Sequence, residues 1–183
     1  LQGYYSAALK MCSYLTEMDK NIRCDVVPTS GSIESLDLLQ SGTIDFAFVQ
    51  SNIAVNAYRA EGYYQKSKPF NSLRQLLRLH DKLFTVIVKD NDKILSFANL
   101  DGKKISNGPP LSDSSITYNA LIKYYQFEKP PTDIELDHEK YASEYCKGNI
   151  DALMVMASHP SPLVSYITHS CESDFITIDS KKI

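Results

Sequence analysis

Three short polar clusters hold most of the residues that could act on a small molecule. Thr29, Ser30, Gly31 and Ser32 follow the apolar run 22–27, and Gln50, Ser51 and Asn52 close the run 45–50. Ser112, Asp113 and Ser114 follow the stiff loop Asn107-Gly108-Pro109-Pro110. Hydroxyls, amides and backbone N–H groups donate and accept hydrogen bonds. Groups of these kinds can bind an anion without performing chemistry. Their chemistry is non-covalent capture: a carboxylate set on N–H groups at a helix start, or an amide held by hydrogen bonds.

Three further side chains join this set. Tyr4 and Tyr5 can cover a small ligand with a ring and orient it with a hydroxyl. His159, between MVMAS and a proline, can touch a solute or shape a hinge. Each candidate also has a plain structural role. Tyrosines pack, and this chain has 12 of them. Ser30, Ser32, Ser112, Asp113 and Ser114 are natural helix caps. Gln50 must bond something if it is buried, whether a solute or the chain itself.

Catalytic patterns are missing from the sequence. His80, His138, His159 and His169 are scattered and form no HExxH pattern or metal-ligand spacing. There is no GxSxG elbow, no GxxxxGK[ST] loop and no GxGxxG turn. No cofactor is expected. The net charge of -3 gives no electrostatic case for nucleic acid. No stretch is apolar and long enough to cross a bilayer. A chain of 183 residues fits one large domain or two small ones.

The periodicity of apolar residues places these clusters on elements. Residues 4–18 read as a helix with Leu9, Met11, Cys12 and Leu15 on one broad face. Strands are expected at 22–27 and 45–50, the second buried on both faces as in a parallel sheet. Between them Ile33, Leu36 and Leu39 mark a helix, capped by Ser30 or Ser32 and stopped by Ser41-Gly42. A helix runs from Ser51 to about Arg59, and 73–79 reads as a short strand or helix. Later strands are expected at 84–89, 104–106, 150–157 and 175–178, with a weak one in 130–137. Helices are expected near 115–125, 138–147 and 162–168. A charged break falls at 90–93.

KGNIDALMVMASHPS echoes SGTIDFAFVQSN: a glycine stop, isoleucine-aspartate, an apolar run, then a polar end. The echo predicts two α/β lobes, 1–89 and 90–179, with the boundary near 88–92. A cleft between such lobes would collect both polar rims. Cys12, Cys24, Cys146 and Cys171 match no zinc or CxxC spacing. Local pairs, Cys12 with Cys24 and Cys146 with Cys171, and four buried thiols are both compatible with their positions.

Four segments together carry a family resemblance: GYY at 3–5, PTSGSIESLDLLQSGTIDFAFVQSN at 28–52, NGPPLSDSS at 107–115 and KGNIDALMVMASHPSP at 147–162. The chain resembles the TAXI branch of TRAP-transporter solute-binding subunits. The resemblance implies a type 2 periplasmic-binding-protein architecture, α/β and bilobal. It implies two parallel or mixed sheets with flanking helices and an interlobe cleft. It implies a monomeric receptor in the periplasm that passes an amino acid, such as glutamate or glutamine, or a carboxylate to TRAP membrane subunits. Members with cysteines at these four positions favour the two local disulfides. The resemblance also implies a first strand before GYY and a long return segment after the last strand, of which 180–183 would be the start. The chain is therefore expected to be a piece of a longer protein or to be completed by another chain.

One departure bears on the solute. The family turn is rich in glycine, whereas here Leu111 and Asp113 stand in it. Side chains crowd an approach to backbone N–H groups, and Asp113 adds a negative charge. Pro110, Ser112, Asp113, Ser114 and His159 then form an altered second jaw opposite Tyr4, Tyr5, 29–32 and 50–52. Alternatives are an ABC-type amino-acid or anion receptor, a ligand-sensing domain of a regulator, an enzyme on the same fold, or an antigenic surface protein that has lost transport.

Overall fold

The structure, a computed structural model, describes residues 3–89, 94–136 and 138–179. The charged break at 90–93 and the expected return at 180–183 lie outside the described residues. The chain divides into two compact units, Leu1–Leu79 and His80–Ile183. The division falls ahead of the 88–92 stretch picked from sequence. The reason is the strand at 83–89, which pairs within the second unit.

The first unit is built from helices α1 (Gly3–Met18), α2 (Ser32–Gln40) and α3 (Ser51–Arg59), with a 3-10 turn at Gly62–Tyr64. Ile33 and Leu36 on α2, Ile53 and Ala57 on α3 and Tyr64 are buried, and α3 packs against both α2 and the Gly62–Tyr64 turn. The Tyr64 hydroxyl donates to the Ile33 carbonyl and to Asp37 Oδ1, both at 3.3 Å. Burial and the Asp37 carboxylate hold the Tyr64 hydroxyl well above the usual tyrosine range. Gly42 turns the chain after α2 with φ 75°, a region glycine enters without steric cost.

Three expectations for this unit need correction. The runs 22–27 and 45–50 lie outside any strand, and no ladder joins them among the described residues. A strand exists only through a neighbour's backbone groups, and neither run has one here. Phe46 is consequently 73% exposed rather than covered on both faces. On α1, Leu9, Met11 and Leu15 are exposed and Cys12 is half-buried, so the expected face is not a core face. The stretch 73–79 is irregular.

The second unit is a five-stranded mixed sheet wrapped by helices. Its strands are β1 (Leu83–Lys89), β2 (Lys104–Ser106), β3 (Thr132–Asp133), β4 (Ala152–Ala157) and β5 (Ser173–Phe175). The order across the sheet is β3-β2-β4-β1-β5. β2 runs parallel to β3 and β4, and β1 runs antiparallel to β4 and β5. The register sets Leu83 opposite Ala157 and Val88 opposite Ala152. The final strand sits slightly earlier than 175–178, and Thr177 adds a single bridge to Ser96.

Alternation along β1 and β4 divides the core into two layers. Val86, Val88, Ala152 and Met154 face Phe97, Leu100, Tyr118, Leu121 and Tyr125. Ile87, Leu153, Val155 and Ala157 face Tyr141, Tyr145, Val164 and Ile167. The helices are α4 (Asp113–Leu121), α5 (His138–Cys146) and α6 (Pro162–Ser170). Pro162 opens α6 behind the Ser161 cap, whose Oγ accepts the Val164 N–H. Two disulfides are formed: Cys12–Cys24 in the first unit and Cys146–Cys171 in the second, with Cα–Cα distances of 5.2 and 5.7 Å. The second ties the end of α5 to the C-cap of α6.

Candidate functional site

In the first unit the residues 29–32 stand at the start of α2. The cap is Gly31, and neither Ser30 nor Ser32 caps the helix with its side chain. Ser30 turns instead to Glu34, donating its backbone N–H and its hydroxyl to Oε2, each at 2.6 Å. These two bonds hold the Glu34 carboxyl below the ordinary glutamate range. Thr29 Oγ1 and Ser35 Oγ share a hydrogen bond of 2.8 Å.

Ser32 is buried, and its Oγ accepts the Gln50 backbone N–H at 3.0 Å. This bond brings together two candidates 18 residues apart in sequence. Gln50 is buried as the N-cap position of α3, while Ser51 and Asn52 are exposed at its start. Tyr4 stacks on Phe48 with ring centroids 6.1 Å apart, and Tyr5 is half-buried beside it in sequence.

In the second unit the polar residues gather at one edge of the sheet. β2 and β4 are parallel and β1 opposes β4, so the ends of β2 and β4 share an edge with the start of β1. Ser106 and Asn107 leave β2 there, both buried. Gly108 has φ 91°, and a Cβ on it would stand 2.9 Å from the Tyr141 hydroxyl, so glycine is required. Pro110 is exposed, and Leu111 adopts φ 63°. That left-handed conformation is the one a glycine would supply at no steric cost. The Ser112 Oγ then caps α4 by accepting the Ser115 N–H at 3.3 Å. Ser114 Oγ accepts the Met156 N–H at 2.8 Å.

Asp113 is the first residue of α4, where a carboxylate opposes the positive helix end. Its Oδ2 lies 3.0 Å from Lys82 Nζ, with the two side chains only 11% and 15% exposed. His159 Nε2 and Thr85 Oγ1 share a hydrogen bond of 2.7 Å, and His80 Nδ1 pairs with Ser158 Oγ at 3.1 Å. The His159–Pro160 peptide is cis. Lys82, Thr85 and Glu34 were not singled out from sequence. Lys82 stands immediately before the strand at 83–89, but only the antiparallel pairing of β1 with β4 brings it beside Asp113.

The Ser106 Oγ and Asn107 Oδ1 atoms are buried with no hydrogen-bond partner among the described residues. Asn107 otherwise donates from backbone and side chain to the Asp133 carboxylate. Among the described residues no cluster of His, Cys, Asp and Glu is arranged to hold a metal, and no helix is long and apolar enough to cross a membrane. These surfaces offer donors, acceptors and one ion pair.

The chain belongs to the NMT1-like family, whose profile matches residues 2–183. Its fold is that of the type 2 periplasmic binding proteins. The periplasmic aliphatic sulphonate binding protein SsuA from Escherichia coli is similar, with TM-score 0.58 and 18% identity over 93% of this chain and 55% of that one. The ligand-binding component of an ABC-type import system from Staphylococcus aureus gives TM-score 0.57 and 16% identity over 94% and 56%. The amino acid ABC transporter substrate-binding protein AbpA from Streptococcus pneumoniae, bound to L-arginine, gives TM-score 0.56 and 14% identity over 96% and 71%. The chain thus spans little more than half the length of the first two.

Proposed function

Taking this family membership as the starting point, we propose that the protein is an extracytoplasmic receptor for a small organic solute and serves a membrane transporter. The observation that carries the reading is the similarity in fold to binding components of import systems, together with the polar rims of both units. The proposed solute-contacting set is Tyr4, Tyr5, 29–32 and 50–52 in the first unit. In the second it is Pro110, Ser112, Asp113, Ser114 and His159. Binding without chemistry fits these groups, because none of them forms a nucleophile–base pair.

ABC-type importers are favoured as the transporter class by the similar solved structures. The TAXI-type TRAP reading rests on the segments 28–52, 107–115 and 147–162. The two disulfides support an oxidising, extracytoplasmic home. Calorimetry against amino acids, dicarboxylates and sulphonates tests the receptor reading. Binding of one class with an affinity tighter than micromolar supports it, and no binding across the panel by the full-length protein overturns it.

A further inference from the structure

The run 22–27 has the composition of a strand but lacks a strand's neighbour. Arg23, Cys24, Asp25, Val26 and Val27 make no backbone–backbone hydrogen bond among the described residues. Their burial alternates as it does along a strand: Cys24 and Val26 are half-buried, while Arg23, Asp25 and Val27 are exposed. The Cys12–Cys24 bridge holds α1 on the inner side of the run, with the two Cα atoms 5.2 Å apart. A row of unpaired N–H and C=O groups is a template for another strand.

The charges on the run select the strand that fits. Arg23 and Asp25 are exposed, and neither makes an ion pair among the described residues. When two copies pair antiparallel about Cys24, Arg23 of each copy stands opposite Asp25 of the other, and Ile22 stands opposite Val26. Opposite charges that face each other across a ladder stabilise it, and like charges destabilise it. The arrangement has two-fold symmetry, so it closes as a pair. The other unladdered run, 45–50, holds Asp45 and no cation, and carries no such complementarity.

The helix beside the run is bare in the matching place. Met11, Tyr14, Leu15 and Met18 share one face of α1, and all four are exposed. Cys24 faces α1 in both copies, so the pairing sets both helices on the same side of the new ladder. An exposed apolar stripe there gains cover from its counterpart.

We propose that the run 22–27 is a homodimer interface, at which two copies of this chain pair as antiparallel strands centred on Cys24. The proposal goes beyond the receptor reading and needs no solute.

The test follows the oligomeric state of the full-length protein by sedimentation equilibrium, with Arg23→Glu and Asp25→Lys as probes. The parent is expected to dimerise at micromolar concentration, with the amides of 23–27 exchanging more slowly in the dimer than in diluted protein. Each variant turns two attractive pairs into two repulsive ones and is expected to weaken the dimer about tenfold or more. An equal mixture of the two variants restores opposite charges across the ladder and is expected to form heterodimers. Both side chains are exposed, and thermal melting checks that each variant is folded. The amide-exchange arm uses the parent alone and stands even if a variant unfolds. A monomeric parent overturns the proposal, as does a dimer whose 23–27 amides are unprotected. Folded variants that dimerise like the parent overturn it too, and so does a mixture that associates no better than its parts.

Discussion

The Ser114 hydroxyl accepts the Met156 backbone N–H at 2.8 Å and so pins the start of α4 to the end of β4. Met156 also pairs with Phe84 in the β1–β4 register, so one hydroxyl links a helix start to two strands. A residue that sequence alone offers as a ligand contact thus has a structural bond of its own.

Replacing Ser114 by alanine leaves the Met156 N–H without this acceptor. The expected loss is about 1–3 kcal/mol, the usual cost of an unsatisfied, mostly buried donor. Urea denaturation followed by circular dichroism measures it. A change below about 0.5 kcal/mol would show that the N–H finds another partner. Ser32→Ala makes the same test in the first unit, where Gln50 is the donor.

The Cys146–Cys171 bridge closes a segment of 25 residues. Its removal by paired serine substitution is expected to cost about 2–4 kcal/mol in the second unit. Thiol titration of the denatured, unreduced protein should find no free cysteine. Four free thiols per chain would contradict both bridges.

Leu111 holds φ 63° with a side chain that is 45% exposed. Leu111→Gly removes the left-handed strain, about 1–2 kcal/mol, but adds freedom to the unfolded chain worth about 0.4–1 kcal/mol. The expected net effect lies between no change and a gain of about 1.6 kcal/mol, read as a raised urea midpoint at unchanged slope. A clear loss would mean that the leucine side chain packs for more than its exposure suggests.

The Ser30 bonds lower the Glu34 carboxyl below its unfolded value. A depressed carboxyl stabilises the fold above the ordinary glutamate range, and that contribution is lost as pH falls through the depressed value. Glu34 is exposed, so water screens the effect to below about 1 kcal/mol. Comparing parent and Glu34→Ala across acid pH checks the sign. The parent's advantage should shrink as pH falls, and an advantage that grows would reverse the assignment.

Much of the second unit is legible in the sequence because each element carries its own signal. VIV in β1 and ALMVMA in β4 are strand-like wherever they pair, and Pro162 behind Ser161 announces a helix start. The first unit shows the limit. The runs 22–27 and 45–50 have strand composition, but composition does not supply the neighbour that makes a strand. The helix caps near Ser30 fail for a related reason: Glu34, one turn away, competes for the serine. The Lys82–Asp113 pair spans 31 residues and depends on strand direction, which no local pattern encodes.

The sheet order also sets a timetable for the chain as it is made. β1 lies between β4 and β5, and both come after it in sequence. The apolar run Phe84–Val88 must therefore wait, unpaired, until the residues of β4 have emerged. The Cys12–Cys24 bridge can close long before that moment, whereas Cys146–Cys171 cannot. An apolar, β-prone segment left waiting is a point of self-association. Lys82 and Lys89 stand at its two ends, where charges keep such a segment from finding another copy of itself.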